Sequence, residues 1–360
     1  MISDDESRFA VSSFSLFNNG SVQNMNTPEA TQQLARMISG YWISQGVYVA
    51  AKLKIADLLA QRSQSVSELA AATKTHEPSL YRLLRALASV GVFAEQTDGR
   101  FRLTPMAECL RSDVSGSQWA MAVMMGEEHY QAWGELLFSV QTGEIAFDKV
   151  FGKPIFEHLS EHPASAAIFD QAMTSVHGSE TAPMVRCYDF SAINTLADIG
   201  GGNGIVISAV LKTYPHMQGI LFDLPHVIER AKASLNSAGV ADRCQTFSGN
   251  FFESVPSGAD AYLMRHIIHD WDDDKAITIL RNCHRGLNTD GRVLIVESVI
   301  APGNDPSFAK LLDLTMMVLP GGKERTAVEY QRLLEASGFE LTQIILTSCD
   351  VSMIEGRKIG

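Results

Sequence analysis

The chain is predicted to be an α/β protein, with a Rossmann-like, doubly wound sheet in its C-terminal half and a mainly helical N-terminal half. Three observations carry that class. Beyond residue 190, short runs rich in Val, Ile, Leu and Phe alternate with longer helical patterns, as βα units do. The first run ends at Ile199 and passes directly into Gly200-Gly-Gly-Asn-Gly204, a turn that lets a ligand approach the main chain closely. Before residue 190, apolar residues recur at three- and four-residue spacing, so helices dominate there.

Residues 1–28 are rich in Ser and Asn with little periodicity and are expected to form a flexible extension. Residues 29–115 are expected to form a winged-helix-like domain. In it Leu34, Met37, Ile38, Tyr41, Val47, Ala50, Leu53, Ile55 and Leu58 suit one long apolar helix. Residues 65–73, 77–87 and 93–103 then read as helix, turn, helix and a hairpin around Asp98-Gly99. Such a module can bind DNA, but residues 61–111 hold seven Lys or Arg against five Asp or Glu, thin support for phosphate contacts. The preferred reading packs the stripe Leu80, Leu83, Leu84 and Leu87 inside a dimer or against the Rossmann-like domain. Residues 116–189 read as a helical linker whose aromatic and Met side chains serve as core or as a wall for a flat apolar substrate. In the last domain, 190–360, strands are expected at 195–199, 219–222, 243–248, 259–264, 292–298 and 340–346.

Composition excludes several classes. With 360 residues, 46% of them hydrophobic, the chain can bury a large core. A net charge of −12 disfavours nucleic acid as the main ligand. No apolar run approaches the ~18 residues of a membrane span, and the start Met1-Ile-Ser-Asp-Asp-Glu-Ser lacks a signal peptide's basic and apolar regions. A cytoplasmic address without membrane contact is expected. The five cysteines are scattered without a Cys-x-x-Cys pair, so neither a disulfide framework nor a metal site is suggested.

The chemistry concentrates around the glycine turn. Nineteen residues after Gly204 the second strand ends in Asp223, where doubly wound sheets place a carboxylate for ribose hydroxyls. Counted from Gly200, the last position of a Gly-x-Gly-x-x-Gly fingerprint falls on Ile205. A pyrophosphate gains from a small residue there, so S-adenosylmethionine ranks ahead of NAD, with a ligand-free glycine loop as the alternative. The strand ending at Met264 leads into Arg265-His-Ile-Ile-His-Asp-Trp271 at the carboxyl edge of the sheet, which makes His269 a candidate base. His266 reads as structural.

Leu196-Ala-Asp-Ile-Gly-Gly-Gly-Asn-Gly204, Phe222-Asp-Leu-Pro-His226, His269-Asp-Trp271, Glu297 and Gly321-Gly-Lys-Glu-Arg-Thr326 together resemble the S-adenosylmethionine-dependent O-methyltransferases of the caffeic acid and hydroxyindole type. The similarity spans roughly residues 30–356. It implies a class I methyltransferase domain, an intertwined homodimer made through the N-terminal domain, and methyl transfer to a hydroxyl of a small secondary metabolite. By the same resemblance His269 is the base, flanked by Glu297 and Glu324. Gly200 and Asp223 would hold the cofactor's methionine and ribose portions, Asn250 and Phe251 would border the adenine, and Arg265 stands where Lys is common. Phe169, Met173, Asp270 and Leu319 fall on the acceptor side. Asn250 replaces the family's usual Asp, and Leu319 and Val176 replace polar residues of some relatives, which implies a less polar acceptor or a different hydrogen-bond scheme. A non-methylating reaction on the same fold, and a winged-helix metabolite sensor, remain as alternatives.

Overall fold

A computed structural model describes residues 26–360; most of the expected N-terminal extension lies outside them. The chain divides into two compact units, one ending at Ser179 and one running from Glu180 to Gly360.

The first unit starts with helices α1 (Thr27–Ile38), α2 (Tyr41–Lys52) and α3 (Ile55–Leu59). The single long helix expected here is broken twice, at Ser39-Gly40 and at Lys54, whose φ of 53° is left-handed. That turn redirects the chain so that Ile55 and Leu59 reach the core. Strand β1 (Gln64–Ser65), helices α4 (Val66–Thr73) and α5 (Glu77–Ser89), and strands β2 (Phe93–Glu95) and β3 (Arg100–Leu103) follow. Ser65 and Glu68 form a capping box that starts α4, an arrangement that satisfies two otherwise orphaned amides. β2 and β3 pair antiparallel, with Glu95 opposite Phe101 and the turn closing at Gly99. The expected stripe has a different destination: Leu80, Leu84 and Leu87 are buried in this unit's own core with Ile55, Leu69 and Phe101. The apolar surface left open lies earlier, on Leu34, Ile38, Tyr41 and Trp42. Helices α6 (Pro105–Glu108), α7 (Trp119–Gly126), α8 (Glu128–Trp133), α9 (Leu136–Thr142), α10 (Ala146–Phe151), α11 (Ile155–Glu161) and α12 (Pro163–Cys187) complete the helical part, and α12 runs on into the second unit.

The second unit alternates β4 (Thr195–Ile199), α13 (Ile205–Thr213), β5 (Gln218–Asp223), α14 (Pro225–Ala238), β6 (Cys244–Ser248), β7 (Ala261–Arg265), α15 (Asp273–Gly286) and β8 (Arg292–Glu297). Then come β9 (Val299–Ile300), α16 (Phe308–Val318), β10 (Arg325–Thr326), α17 (Ala327–Ala336), β11 (Phe339–Leu346) and β12 (Ser352–Lys358). Seven strands form one sheet in the order β11-β12-β8-β7-β4-β5-β6. β4 to β8 are parallel neighbours, whereas β12 inserts antiparallel between β8 and β11. Alternate residues feed two cores: Leu196, Leu263 and Leu294 point to one, Ala197, Tyr262 and Ile295 to the other. Both faces are therefore covered, which explains the near-continuous apolar runs. Strand order reverses between β4 and β7, where open α/β sheets place their ligands. Among the described residues no helix is long and apolar enough to cross a membrane.

Candidate active site

The glycine turn leaves β4 with Gly200 at φ 70° and Gly204 at φ 76°, the latter starting α13. A Cβ on Gly200 would meet Ile267 Cδ1 at 2.4 Å, with Phe251 Cε1 also in reach at 3.9 Å. The turn therefore packs against the loop that carries the candidate base. Asp223, at the end of β5, accepts from the Gly202 and Leu224 amides at 2.8 and 2.7 Å, which fixes its carboxylate beside the turn. Burial pushes its pKa up, against those two hydrogen bonds. Asn250 caps its own loop, accepting from the Phe252 amide at 3.0 Å and donating to Glu253 at 3.2 Å. Phe251 and Phe252 pack edge-on against Trp271, so the expected adenine border and the His-Asp-Trp motif are neighbours.

Beneath the turn lies a buried carboxyl to which the sequence assigned no role. Asp198 is buried, its Oδ2 has no hydrogen-bond partner among the described residues, and burial pushes its pKa up to about 7. Arg265, at the end of β7, donates to Thr181 Oγ1 at 3.0 Å and is the main positive charge acting on Asp198. His266 follows in a left-handed conformation, φ 54°. Its Nε2 meets Glu180 Oε2 at 2.9 Å, so the ring is held by α12 and its place beside the base is occupied.

His269 sits in the turn after β7, 7% exposed. Its Nδ1–H donates to Glu324 Oε1 at 2.6 Å, while Nε2 lies 3.6 Å from Asp270 Oδ1. Glu297 does not hydrogen-bond the ring: its Oε1 accepts the amides of Ile267 and His269 at 3.1 and 3.0 Å, and Oε2 accepts Tyr330 Oη–H at 2.5 Å. One acid thus sets the tautomer and the other holds the backbone that carries the ring. They meet because β9 pairs with β10, Val299 opposite Arg325, which aligns the residues after Glu297 with those after Glu324. Thr326 and Glu329 then form a capping box that starts α17 and aims Tyr330 at Glu297.

The segment before β10 is clamped to the base turn. Lys323 N–H donates to the His269 carbonyl at 2.9 Å. A Cβ on Gly322 would fall 1.9 Å from that carbonyl oxygen, so only glycine permits the approach. Arg325 is fully buried and donates to the carbonyls of Ile268, Trp271 and Lys323 and to Asp273 Oδ1. Asp313 of α16 accepts the Glu324 amide at 2.9 Å. Arg325, Tyr330, Asp313 and Gly322 were not singled out from sequence. Gly322 and Arg325 fall within the compact Gly321–Thr326 run, whereas Asp313 and Tyr330 had no sequence signal.

Burial works against a charged imidazole, but the Asp270 charge, the Glu324 hydrogen bond and the Glu297 charge outweigh it, and His269 is pushed up to about 10. Burial also pushes Asp270 up to about 6 and raises Glu324. The cluster retains a proton that titrates as a property of the group. Leu319, just after α16, is buried in this unit. Phe169 and Met173 belong to the other unit, packed against Ala120, Met124 and Ala172; the side chain of Val176 lies outside the described residues.

Residues 133–340 match the O-methyltransferase domain family, and residues 35–113 match the O-methyltransferase dimerisation domain. The chain belongs to the S-adenosylmethionine-dependent O-methyltransferases. A phenazine O-methyltransferase, PhzM, of Lysobacter antibioticus is 47% identical over 326 residues, which cover 91% of this chain and 96% of that relative. A mitomycin biosynthesis 6-O-methyltransferase of Streptomyces lavendulae is 37% identical over 87% of this chain and 90% of its own length. The crystal structure of NcsB1, an O-methyltransferase from neocarzinostatin biosynthesis in complex with S-adenosylmethionine and 2-hydroxy-5-methyl naphthoic acid, aligns with a TM-score of 0.79. It is 31% identical over 88% of this chain and 96% of that one. This O-methyltransferase carries its seven-stranded sheet, glycine turn and His-Asp-Trp loop in a single unit.

Proposed function

We propose that this O-methyltransferase methylates an aromatic or enolic hydroxyl of a small secondary metabolite, with His269 as general base. The observation that carries the reading is the buried His269–Glu324 pair, which commits Nδ1 and leaves Nε2 as the nitrogen for the acceptor's proton. S-adenosylmethionine, when bound, supplies an electrophilic methyl on a sulfonium. The residues at the sheet switch point suit it: a Cβ-free wall at Gly200 bordered by Phe251, and the fixed Asp223 carboxylate with lone pairs left for ribose hydroxyls. Asn250 has both donor and acceptor for an adenine edge.

A free phenol has a pKa of about 10 and an ordinary imidazole about 6.5, so an unperturbed His would take the phenolic proton uphill by nearly 5 kcal/mol. At about 10, His269 matches the phenol. Proton transfer within the complex is then balanced, and Glu324 and Asp270 stabilise the imidazolium as it forms. The cost appears in solution instead, where the site must lose a proton before an un-ionised acceptor can react. We therefore expect kcat/KM to rise with pH on a limb displaced well above the usual imidazole range. In Glu324→Gln that limb moves to lower pH, towards about 6.5, while kcat falls; a limb that stays in place would show that Glu324 does not set the base. The direct test of the reading is transfer of labelled methyl from S-adenosylmethionine to phenols, hydroxyindoles, phenazines and hydroxyquinones, and absence of transfer to every member would count against it.

The same proposal includes a homodimer. It is supported by the matched dimerisation domain and by Leu34 (58% exposed), Ile38 (69%) and Trp42 (68%) on neighbouring turns, more apolar side chain than a monomer leaves open without use. The double variant Ile38→Glu, Trp42→Glu should sediment at the mass of one chain; an unchanged mass would place the interface elsewhere.

A further inference from the structure

Helix α17 sends its buried face, Tyr330, Leu333 and Leu334, into the apolar core shared with Ile295, Phe339 and Ile354. Packing there asks only for a Phe at 330, yet the residue carries a hydroxyl. Its Oη–H donates to Glu297 Oε2 at 2.5 Å, and both side chains are fully buried. A buried hydroxyl is costly unless it is bonded, so a tyrosine in such a core marks the acceptor that it reaches. Among the described residues Glu297 accepts every side-chain hydrogen bond it makes, from the amides of Ile267 and His269 and from this phenol. That pattern suits a carboxylate, since a carboxylic acid would donate through one oxygen. The phenol is the one side-chain donor of the three.

Charge reaches the His269 ring from several elements. On its own turn, Asp270 Oδ1 lies 3.6 Å from Nε2, and the His266 ring, 5.1 Å away by centroids, is held uncharged because burial pushes it well down. Arg265 precedes that ring, and Glu180 of α12 accepts from it or donates to it at 2.9 Å. From the segment entering β10, Glu324 takes the Nδ1–H, with Asp313 of α16 on its amide and the Arg325 guanidinium clamped to the turn's carbonyls. Glu297, at the end of β8, makes no bond to the ring and bears on it by charge alone, raising His269. That charge is also one of the reasons Glu324 is raised, so two buried acids oppose each other. A buried carboxylate that lacks donors exchanges its charge for a proton. The phenol prevents the exchange at Glu297. Burial and the charges of Glu297 and Glu324 push Tyr330 itself far up, so it remains a donor at any pH the enzyme meets.

We propose that Tyr330 is a positioning residue for methyl transfer: its hydroxyl holds Glu297 in the carboxylate form, which both carries the Ile267 and His269 amides and places a negative charge behind the imidazole. The inference rests on the reading of His269 as general base and assigns one more residue to that base's support.

The test follows His269 in the full-length enzyme containing histidine isotope-labelled at Cε1, its signal identified by its loss in His269→Ala. An opposite charge close by is worth about 1–3 pH units to a titrating group. Tyr330→Phe, which removes one oxygen, should therefore lower the midpoint of His269 by at least ~1 unit, towards the ordinary ~6.5. A hydroxyl that only packs would cost stability and leave the midpoint in place. Glu297→Gln should move it in the same direction, and Tyr330→Phe added to Glu297→Gln should move it no further. 3-Fluorotyrosine in place of Tyr330 keeps ring and donor and should leave the wild-type midpoint. An unmoved midpoint in Tyr330→Phe, or an additional shift in the double variant, overturns the inference. Should Tyr330→Phe not fold, an unmoved midpoint in Glu297→Gln or a lowered one in the fluorotyrosine enzyme overturns it instead. The pH limb of kcat/KM is scored separately. A midpoint that moves while the limb stays leaves the Tyr330 assignment standing and counts against His269 as the base.

Discussion

His269→Ala should lower kcat by about 100- to 10,000-fold, the range that general-base help supplies, while the affinity for S-adenosylmethionine stays within a few-fold of wild type. The split follows from the geometry. The ring is bonded to Glu324 and faces Asp270, whereas the glycine turn is contacted from this loop by Ile267, whose amide Glu297 continues to hold. Removal of the ring leaves the buried Glu324 carboxylate with one fewer partner, and its Oε2 already lacks one, so that carboxyl should take up a proton and keep the fold intact. Residual rate at high pH, where the acceptor ionises unaided, would agree with loss of a base alone. If instead kcat is unchanged and only cofactor binding suffers, His269 is a cofactor contact and the proposed proton path is wrong.

The largest stability effect is expected at Arg325. Arg325→Met keeps the volume and the apolar stem but removes the guanidinium donors from the carbonyls of Trp271 and Lys323 and one of the two donors to Ile268, whose carbonyl still accepts the Trp271 amide. Each buried carbonyl left unpaired costs about 1–3 kcal/mol. Asp273 retains Lys323 at 2.8 Å and is half exposed, so the lost ion pair itself adds little. The sum over the two carbonyls left unpaired is a destabilisation of about 2 kcal/mol or more, readable as a lower urea midpoint at unchanged slope. Because those carbonyls define the turn around His269, kcat should fall as well, and KM for the cofactor less so. A variant within ~1 kcal/mol of wild type would mean that water replaces the guanidinium and that the turn is held from elsewhere.

Much of the sheet was legible because its strands are short, apolar and bounded by turns. The run at 195–199 coincides with β4, and the expected strands at 219–222 and 292–298 differ from β5 and β8 by a residue or so at their ends. What failed was long-range or depended on a single backbone angle. Nothing near Lys54 announces a left-handed residue, so three helices were read as one. The insertion of β12 between β8 and β11 is a matter of partner choice, on which local periodicity is silent. The Leu80–Leu87 stripe was correctly apolar, but its partner was the core of its own unit. At the site, proximity of His269 to the glycine turn could be inferred from strand order. The division of labour between Glu324 and Glu297 could not, because it depends on the β9–β10 pairing. A fully buried Arg325 runs against the ordinary surface preference of arginine, so composition gave no reason to single it out.

On the proposed function the groups that handle the proton, His269, Asp270, Glu297 and Glu324, all belong to the C-terminal unit, whereas Phe169 and Met173 belong to the other. Inheritance can act on the two separately. If Phe169 and Met173 face the acceptor as the sequence resemblance implies, a lineage that accumulates substitutions around them would drift from one aromatic acceptor to another while its reaction stays the same, and duplicated genes of this kind should diverge in diet before they diverge in trade. For an engineer the helical unit is accordingly the place to randomise, and the loop from 265 to 271 the place to leave alone.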